Sequence, residues 1–283
     1  MPDWATAGCL GAVAIAAGAV LFVSAASAAD CRDPTRHVPV PAGEFWMGSD
    51  AAERQFAESL SSRATIAAGW IRAELPRRLE TTLASCIDRT PVTQASYADF
   101  VGRRPGRPPG ITRAEYLRQG FLVHDYETIL PYRWRGRRPP PGKEDHPVVL
   151  VSAPEAEAYC RWRLPAGRLP TEVEWEKTMR GTDGPALPWG GSWDPFRLNS
   201  AAAGPGGTTP VGRYPAGASP YGALDAVGSV FQWTSTTLSD GRRVLKGCAW
   251  DDEAGLCRPA FRHGRPPTSR HVLTGFRCLE GRR

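Results

Sequence analysis

Proline and glycine occur so often along this chain that they constrain its fold more than any other feature. The sequence has 30 glycines and 27 prolines among 283 residues. Because both residue types interrupt helices and favour turns, the chain should form short elements joined by many loops. Its hydrophobic content of 41% is still enough for a packed core. We therefore predict an irregular α+β domain.

The first thirty residues have the pattern of an export signal. An uninterrupted run of apolar and small residues extends from Leu10 to Val23, and small residues follow at 26–28. The run is short for a stable membrane span, and the small residues suit a cleavage site. We predict a signal peptide over residues 1–28 and a periplasmic or secreted mature domain over 29–283. An n-region without Lys or Arg leaves an uncleaved anchor as the alternative.

Basic residues outnumber acidic ones, 35 to 29, and nearly all of them are arginine. They are scattered through proline-rich segments without interleaved aromatic residues or a nucleic-acid-binding motif. We predict a solvated basic surface and no nucleic-acid partner. An anionic partner, such as an acidic glycan or a sulfated substrate, stays open because charge alone does not select a ligand.

Residue patterns indicate where several helices begin. Thr93, Ser152 and Thr171 are suitable N-cap residues before runs with helical spacing. Thr171 also has Glu174 three residues later, which is the capping-box pattern. Residues 51–83 are rich in Ala, Leu, Glu and Arg, and they predict an insertion in the domain with one or two helices that end before Pro76.

Six cysteines remain after Cys9 is removed with the leader. They are Cys31, Cys86, Cys160, Cys248, Cys257 and Cys278. An even number of cysteines in an exported chain predicts disulfides, but the count itself does not select the pairs. Cys31 and Cys86 flank the first predicted strand, so a bond between them would tie the N-terminus across the insertion.

Motifs in a consistent order cover nearly the whole mature chain. They are VPAGEFWMGSD at 40–50, TPVTQASYADF at 90–100, HPVVLVS at 146–152, AEAYCRW at 156–162, RLPTEVEWEKTMRG at 168–181, PWG at 188–190, VGSVFQWTS at 227–235, RVLKGCAW at 243–250 and GFRC at 275–278. Together they resemble the formylglycine-generating enzymes, also called sulfatase-modifying factors. The resemblance implies a C-type-lectin-like α+β fold with little regular secondary structure.

The resemblance also implies one disulfide and a core rich in tryptophan. The family pairs the cysteine of its AYC-x-W helix with that of its GFRC terminus, which implies a Cys160–Cys278 bond here. The motif tryptophans stand beside glycine and proline, where large aromatic rings can bury irregular loops. We expect these rings to belong to the core: Trp162, Trp175, Trp189, Trp233 and Trp250.

Active members of the family bind copper(I) through two cysteines and use O2 to oxidise a substrate cysteine. The resemblance places Cys257 on the second of these cysteines and Asp252 on the first. A carboxylate is a poor copper(I) ligand, so the family's thiolate pair is incomplete. Cys248 stands where the family usually has glycine. We predict a third disulfide between Cys248 and Cys257, with a displaced copper site as the alternative.

Other metals are also weakly supported by the sequence. The family's calcium ligands in its G-N-x-x-E-W block correspond to Ser229 and Gln232, which leaves Asn199 and Asp225 as candidate calcium ligands. A harder, iron-type site would combine the acidic residues 251–253 with His263 and His271. We expect a solvated acidic turn with arginine partners instead.

Two functions follow from these observations. The first is an oxidoreductase that uses O2 to oxidise a peptide cysteine or a secreted metabolite. Its predicted cleft is lined by Trp250, Asp252, Cys257, Arg258, Arg262 and His263. The second is a non-catalytic, lectin-like binding or structural module, in which the proline-rich segment 102–143 forms the binding face. In either case the partner would be a peptide, a protein or a small molecule.

Overall fold

The computed structural model describes residues 31–104, 107–119 and 124–281, together with Met1. Apart from Met1, the predicted signal peptide lies outside the described residues. Within the described ranges, no helix is both long and apolar enough to cross a membrane.

Short strands form three small sheets in this part of the chain. The strands are β1 (His37–Val40), β2 (Gly43–Met47), β3 (Arg78–Thr82), β4 (Ser85–Asp88), β5 (Gly167–Arg168), β6 (Phe231–Thr237), β7 (Arg243–Lys246), β8 (Arg262–Arg265), β9 (Thr274–Gly275) and β10 (Leu279–Gly281). One sheet has the order β1-β4-β10-β5, so its first and last strands in the chain are joined through β4. A second sheet, β8-β7-β6-β9, contains the candidate site residues Arg262 and His263 in β8, and β7 ends two residues before Cys248.

Six short α-helices accompany the sheets in the described ranges. They are α1 (Ala51–Ser59), α2 (Arg63–Ala67), α3 (Gln94–Arg103), α4 (Arg113–Arg118), α5 (Ala153–Arg163) and α6 (Glu172–Arg180). The predicted caps are confirmed: Thr93 accepts from the Ser96 N–H, while Ser152 and Thr171 form capping boxes. This mixture of short helices and strands confirms the α+β class.

The insertion predicted over residues 51–83 is only partly helical. It contains α1, α2 and a 3₁₀ turn at Ile71–Ala73, but its last residues form β3, which pairs with β2. Pro76 prevents a helix from continuing, and the alternating residues after it suit a strand on an outer edge. The helical part of the segment therefore ends before Pro76, where the sequence predicts it to stop.

Residues 51–83 are tied to the rest of the domain by buried ion pairs. Arg258 Nη1 lies 3.2 Å from Glu53 of α1, and its other terminal nitrogen bonds Glu74. Glu53 also pairs with Arg180 of α6. All four charged side chains are buried. Gly255 lies so close to α1 that an added Cβ would be 2.2 Å from the Ala57 carbonyl oxygen, so the glycine permits this contact.

Both predicted structural disulfides are present. Cys31 bonds Cys86, and Cys160 of α5 bonds Cys278 just before β10. Disulfides of this kind are compatible with an oxidising compartment such as a secretory lumen or an extracellular space.

Candidate functional site

Cys248 and Cys257, proposed from the sequence for either a disulfide or a copper site, are bonded to each other. Cys248 follows β7, and Cys257 ends the 3₁₀ turn at Ala254–Leu256. Both residues are fully buried. The structure thus has the third disulfide that the sequence predicts, and neither sulfur is a thiolate.

The donors at this position do not fit copper(I), the metal that the family implies. Copper(I) prefers soft thiolate or thioether ligands. Cys257 is committed to the bond with Cys248, and the Asp252 carboxylate accepts the Ala249 N–H at 2.7 Å. The Asp252 carboxylate therefore closes a turn at the position where the family has its first copper-binding cysteine. The residues present do not provide the two thiolates that copper(I) binding requires.

Asp252 is unusual because its carboxyl group is buried beside other acids. Burial, followed by the negative charge of Asp251, raises the pKa of Asp252 to about 7. Between about pH 4 and about pH 7 the folded chain therefore binds more protons at this group than the unfolded chain does. The contribution of Asp252 to stability falls as the pH rises through that window.

This pH dependence can be tested with Asp252→Asn, which removes the charge but keeps an oxygen able to accept the Ala249 N–H. We expect the variant to be more stable than the parent at about pH 8, with the difference shrinking as the pH falls towards about 4. Urea unfolding at a series of pH values measures it. Asp240→Asn is the control, because Asp240 is an exposed acid whose pKa is lowered by hydrogen bonds to Arg242. A pH-independent difference for Asp252→Asn would contradict the assignment.

The remaining predicted cleft residues are separated by the fold. Arg258 forms buried ion pairs with residues of the segment 51–83 and has no exposed surface. Arg262 donates two hydrogen bonds to Glu172, at 2.8 and 2.7 Å. His263 and Arg262 line a pocket of about 310 Å³ together with Trp70. Burial, with the nearby charges of two arginines, lowers the pKa of His263 to about 4, so its ring is neutral at physiological pH.

Beside Asp252, His124 joins side chains that the sequence analysis had already considered together, Asp251, His263 and His271. We call this group the imidazole cluster, and its members are His124, Trp250, Asp251, His263 and His271. His124 comes from the proline-rich segment; its Nε2 is 2.7 Å from Asp251 Oδ2, and its ring stacks on Trp250 at 4.9 Å. His124 is the one member that the sequence analysis missed, because it lies in the proline-rich segment, 127 residues from Asp251 along the chain.

Electrostatic interactions connect the cluster to Arg265 of β8. Burial, and then electrostatic interactions with Arg265, His124 and His263, lower the pKa of His271 to about 4. Asp252 also interacts with Arg265. Even so, within the described ranges no three His, Cys, Asp or Glu side chains are arranged to hold a metal ion.

The two candidate calcium ligands, Asn199 and Asp225, have different surroundings. Asn199 donates to the Gly207 carbonyl oxygen, while its own side-chain oxygen is buried without a partner among the described residues. Around Asp225, the fully buried Arg277 guanidinium bonds the Asp225 carbonyl oxygen and Gln232 Oε1. Because a cation already occupies this group of oxygens, the donors near Asp225 do not fit calcium.

Comparison with known proteins agrees with the fold. A family model described as "Sulfatase-modifying factor enzyme 1-like domain" matches residues 23–281. The inactive C-alpha-formylglycine-generating enzyme 2 of Bos taurus is 31% identical over 286 residues, covering 86% of this chain and 87% of that protein. The hercynine oxygenase of Mycolicibacterium smegmatis is 30% identical over 276 residues, covering 85% of this chain but 60% of that protein.

The structure of PvdO from Pseudomonas aeruginosa has a TM-score of 0.63 at 21% identity, covering 87% of this chain and 94% of that one. The fold is thus that of the formylglycine-generating enzymes. The chain belongs to the sulfatase-modifying factor family.

Proposed function

We propose that this chain is an exported member of the family that binds a ligand in its cleft and does not carry out copper-dependent oxidation. The observation that supports this proposal is the Cys248–Cys257 bond beside Asp252. It leaves the family's two metal positions with a disulfide sulfur and a buried carboxylate. The three disulfides suit a periplasmic or secreted protein.

The surroundings of the disulfide support a binding role. The bond and the Asp252 turn hold Trp250 and Asp251, which contact His124 from the proline-rich segment. A rigid loop of this kind keeps polar groups in fixed positions, which favours recognition. One relative with similar length and 31% identity is itself named inactive.

An oxidase or oxygenase is the second candidate. Its support is the cluster of imidazole and carboxylate groups beside the family's catalytic position, together with a relative named hercynine oxygenase. This reading requires either reduction of the Cys248–Cys257 bond or a metal held by other residues.

Copper(I) binding separates the two candidates. We expect the protein, purified from an oxidising compartment and then reduced, to bind no more copper(I) than its Cys248→Ala, Cys257→Ala variant. Competition with a chromophoric copper(I) chelator under anaerobic conditions measures this. The positive control is Cys248→Gly with Asp252→Cys, which rebuilds the cysteine pair of active relatives and should gain copper binding. Stoichiometric copper in the reduced parent, with oxidation of a cysteine peptide in air, would favour the oxidase.

A further inference from the structure

Three buried tryptophans differ in whether their indole N–H has a partner. Trp175 Nε1 donates to Gln232 at 2.8 Å, and Trp233 Nε1 donates to the Val151 carbonyl at 3.0 Å. Trp250 is only 6% exposed, yet its Nε1 has no hydrogen-bond partner in the described part of the chain. Because leaving a buried donor unpaired is costly, such a group often marks a position that a bound molecule completes.

His271 provides a second buried donor. The Leu273 N–H donates to its Nδ1 at 3.2 Å. The ring is neutral, and a neutral imidazole has a single N–H, so Nε2 carries the hydrogen. This Nε2 is buried and has no partner among the residues that the structure describes. His271 therefore presents a donor whose tautomer is set by its own backbone neighbour.

Asp251 contributes an acceptor to the same cluster. Its Oδ2 is bonded to His124 Nε2, while Oδ1 is buried without a partner in the described ranges. The cluster thus offers two N–H donors and one carboxylate acceptor, and Arg265 of β8 contributes a positive charge that affects both His263 and His271.

We propose that the imidazole cluster binds a carboxylate with a neighbouring hydroxyl or amino group. Trp250 Nε1–H and His271 Nε2–H donate to the carboxylate, and Asp251 Oδ1 accepts from the neighbouring group. This inference rests on the proposed binding function and names the chemistry of its ligand.

The balance of charges selects a single carboxylate. The imidazoles of His263 and His271 are neutral and supply hydrogen bonds without charge. Asp251 would repel a doubly charged phosphate more strongly than a monoanion, and a planar carboxylate has two oxygens to accept from the two N–H donors. The unpaired Asp251 oxygen in turn requires a donor on the ligand, which a simple carboxylate lacks.

The test uses glycolate as the probe, with acetate and glycolamide as matched small molecules. Acetate lacks the hydroxyl, and glycolamide lacks the charge. We expect the Trp250 indole ¹⁵N–¹H signal of the disulfide-bonded protein, assigned by its loss in Trp250→Phe, to shift saturably with glycolate. Acetate should bind more weakly, and glycolamide should leave the signal unchanged. No shift with glycolate, or equal shifts with glycolamide, would overturn the proposal and leave water as the occupant.

Two substitutions of His271 separate binding from folding. The Asn side chain can keep the acceptor for the Leu273 N–H but loses the Nε2 donor, whereas Gln can keep a donor near Nε2 and loses the acceptor. We expect His271→Asn to raise the glycolate dissociation constant roughly tenfold or more, and His271→Gln to change it less. A larger increase in the dissociation constant for His271→Gln than for His271→Asn would assign His271 a purely structural role.

The outcomes also separate this inference from the proposed function. Copper binding by the reduced parent would overturn the non-copper function without affecting a measured glycolate shift. If the reduced protein binds no copper and glycolate causes no shift, the carboxylate ligand is ruled out and the proposed non-copper function stands.

Discussion

Replacing Arg258 with methionine should destabilise the domain by about 3–5 kcal/mol, because it leaves buried carboxylates without their counter-charge. Arg258 is fully buried and bonds both Glu53 and Glu74. Within the described ranges, the second oxygen of Glu74 has no partner, so Glu74 depends on Arg258 alone. Urea denaturation with the disulfides intact measures the free energy of unfolding.

Arg242→Met is the matched control for this prediction. Arg242 pairs with Asp240 at 2.7 Å, but both side chains are more than two-fifths exposed. An exposed pair contributes about 0–1 kcal/mol, so this variant should behave nearly like the parent. Adding Glu74→Gln to Arg258→Met should recover part of the loss, since a neutral amide is less costly to bury than a charge. Equal effects of the two arginine substitutions would contradict the buried ion-pair assignment.

The Arg258 ion pairs explain why residues next to the catalytic position could not be assigned from the sequence. Arg258 directly follows Cys257, and motif position alone placed it in the cleft. Its partners Glu53 and Glu74 belong to the segment 51–83, whose packing against this loop is not encoded by any local pattern. The Arg258 side chain is therefore held in buried ion pairs and is not exposed to a ligand.

Local features of the structure were predictable because their causes are local. Thr93, Ser152 and Thr171 begin helices through hydrogen bonds to residues three positions away. The Cys160–Cys278 bond followed from family resemblance. By contrast, His124 and Asp251 are 127 residues apart, and their contact depends on the path of a long irregular segment. No periodicity in the sequence specifies such a path.

The three disulfides are expected to contribute unequally to stability. Cys160 and Cys278 are 118 residues apart, whereas Cys248 and Cys257 are 9 apart. Loop-closure entropy predicts losses of about 5 kcal/mol for Cys160→Ala with Cys278→Ala, and about 3 kcal/mol for Cys248→Ala with Cys257→Ala. Urea unfolding of the two double variants measures the difference.

The comparison is well matched, since all four cysteines are fully buried and both variants lose the same atoms. The difference between them therefore reports mainly on loop length. Equal or reversed losses would mean that the short bond stabilises its loop by local packing around Asp252 and Trp250, beyond the restriction of chain entropy. In the expected order, the Cys248–Cys257 bond stabilises the protein less than the Cys160–Cys278 bond does. Its value to the protein would then lie in holding the Asp252 turn beside the imidazole cluster.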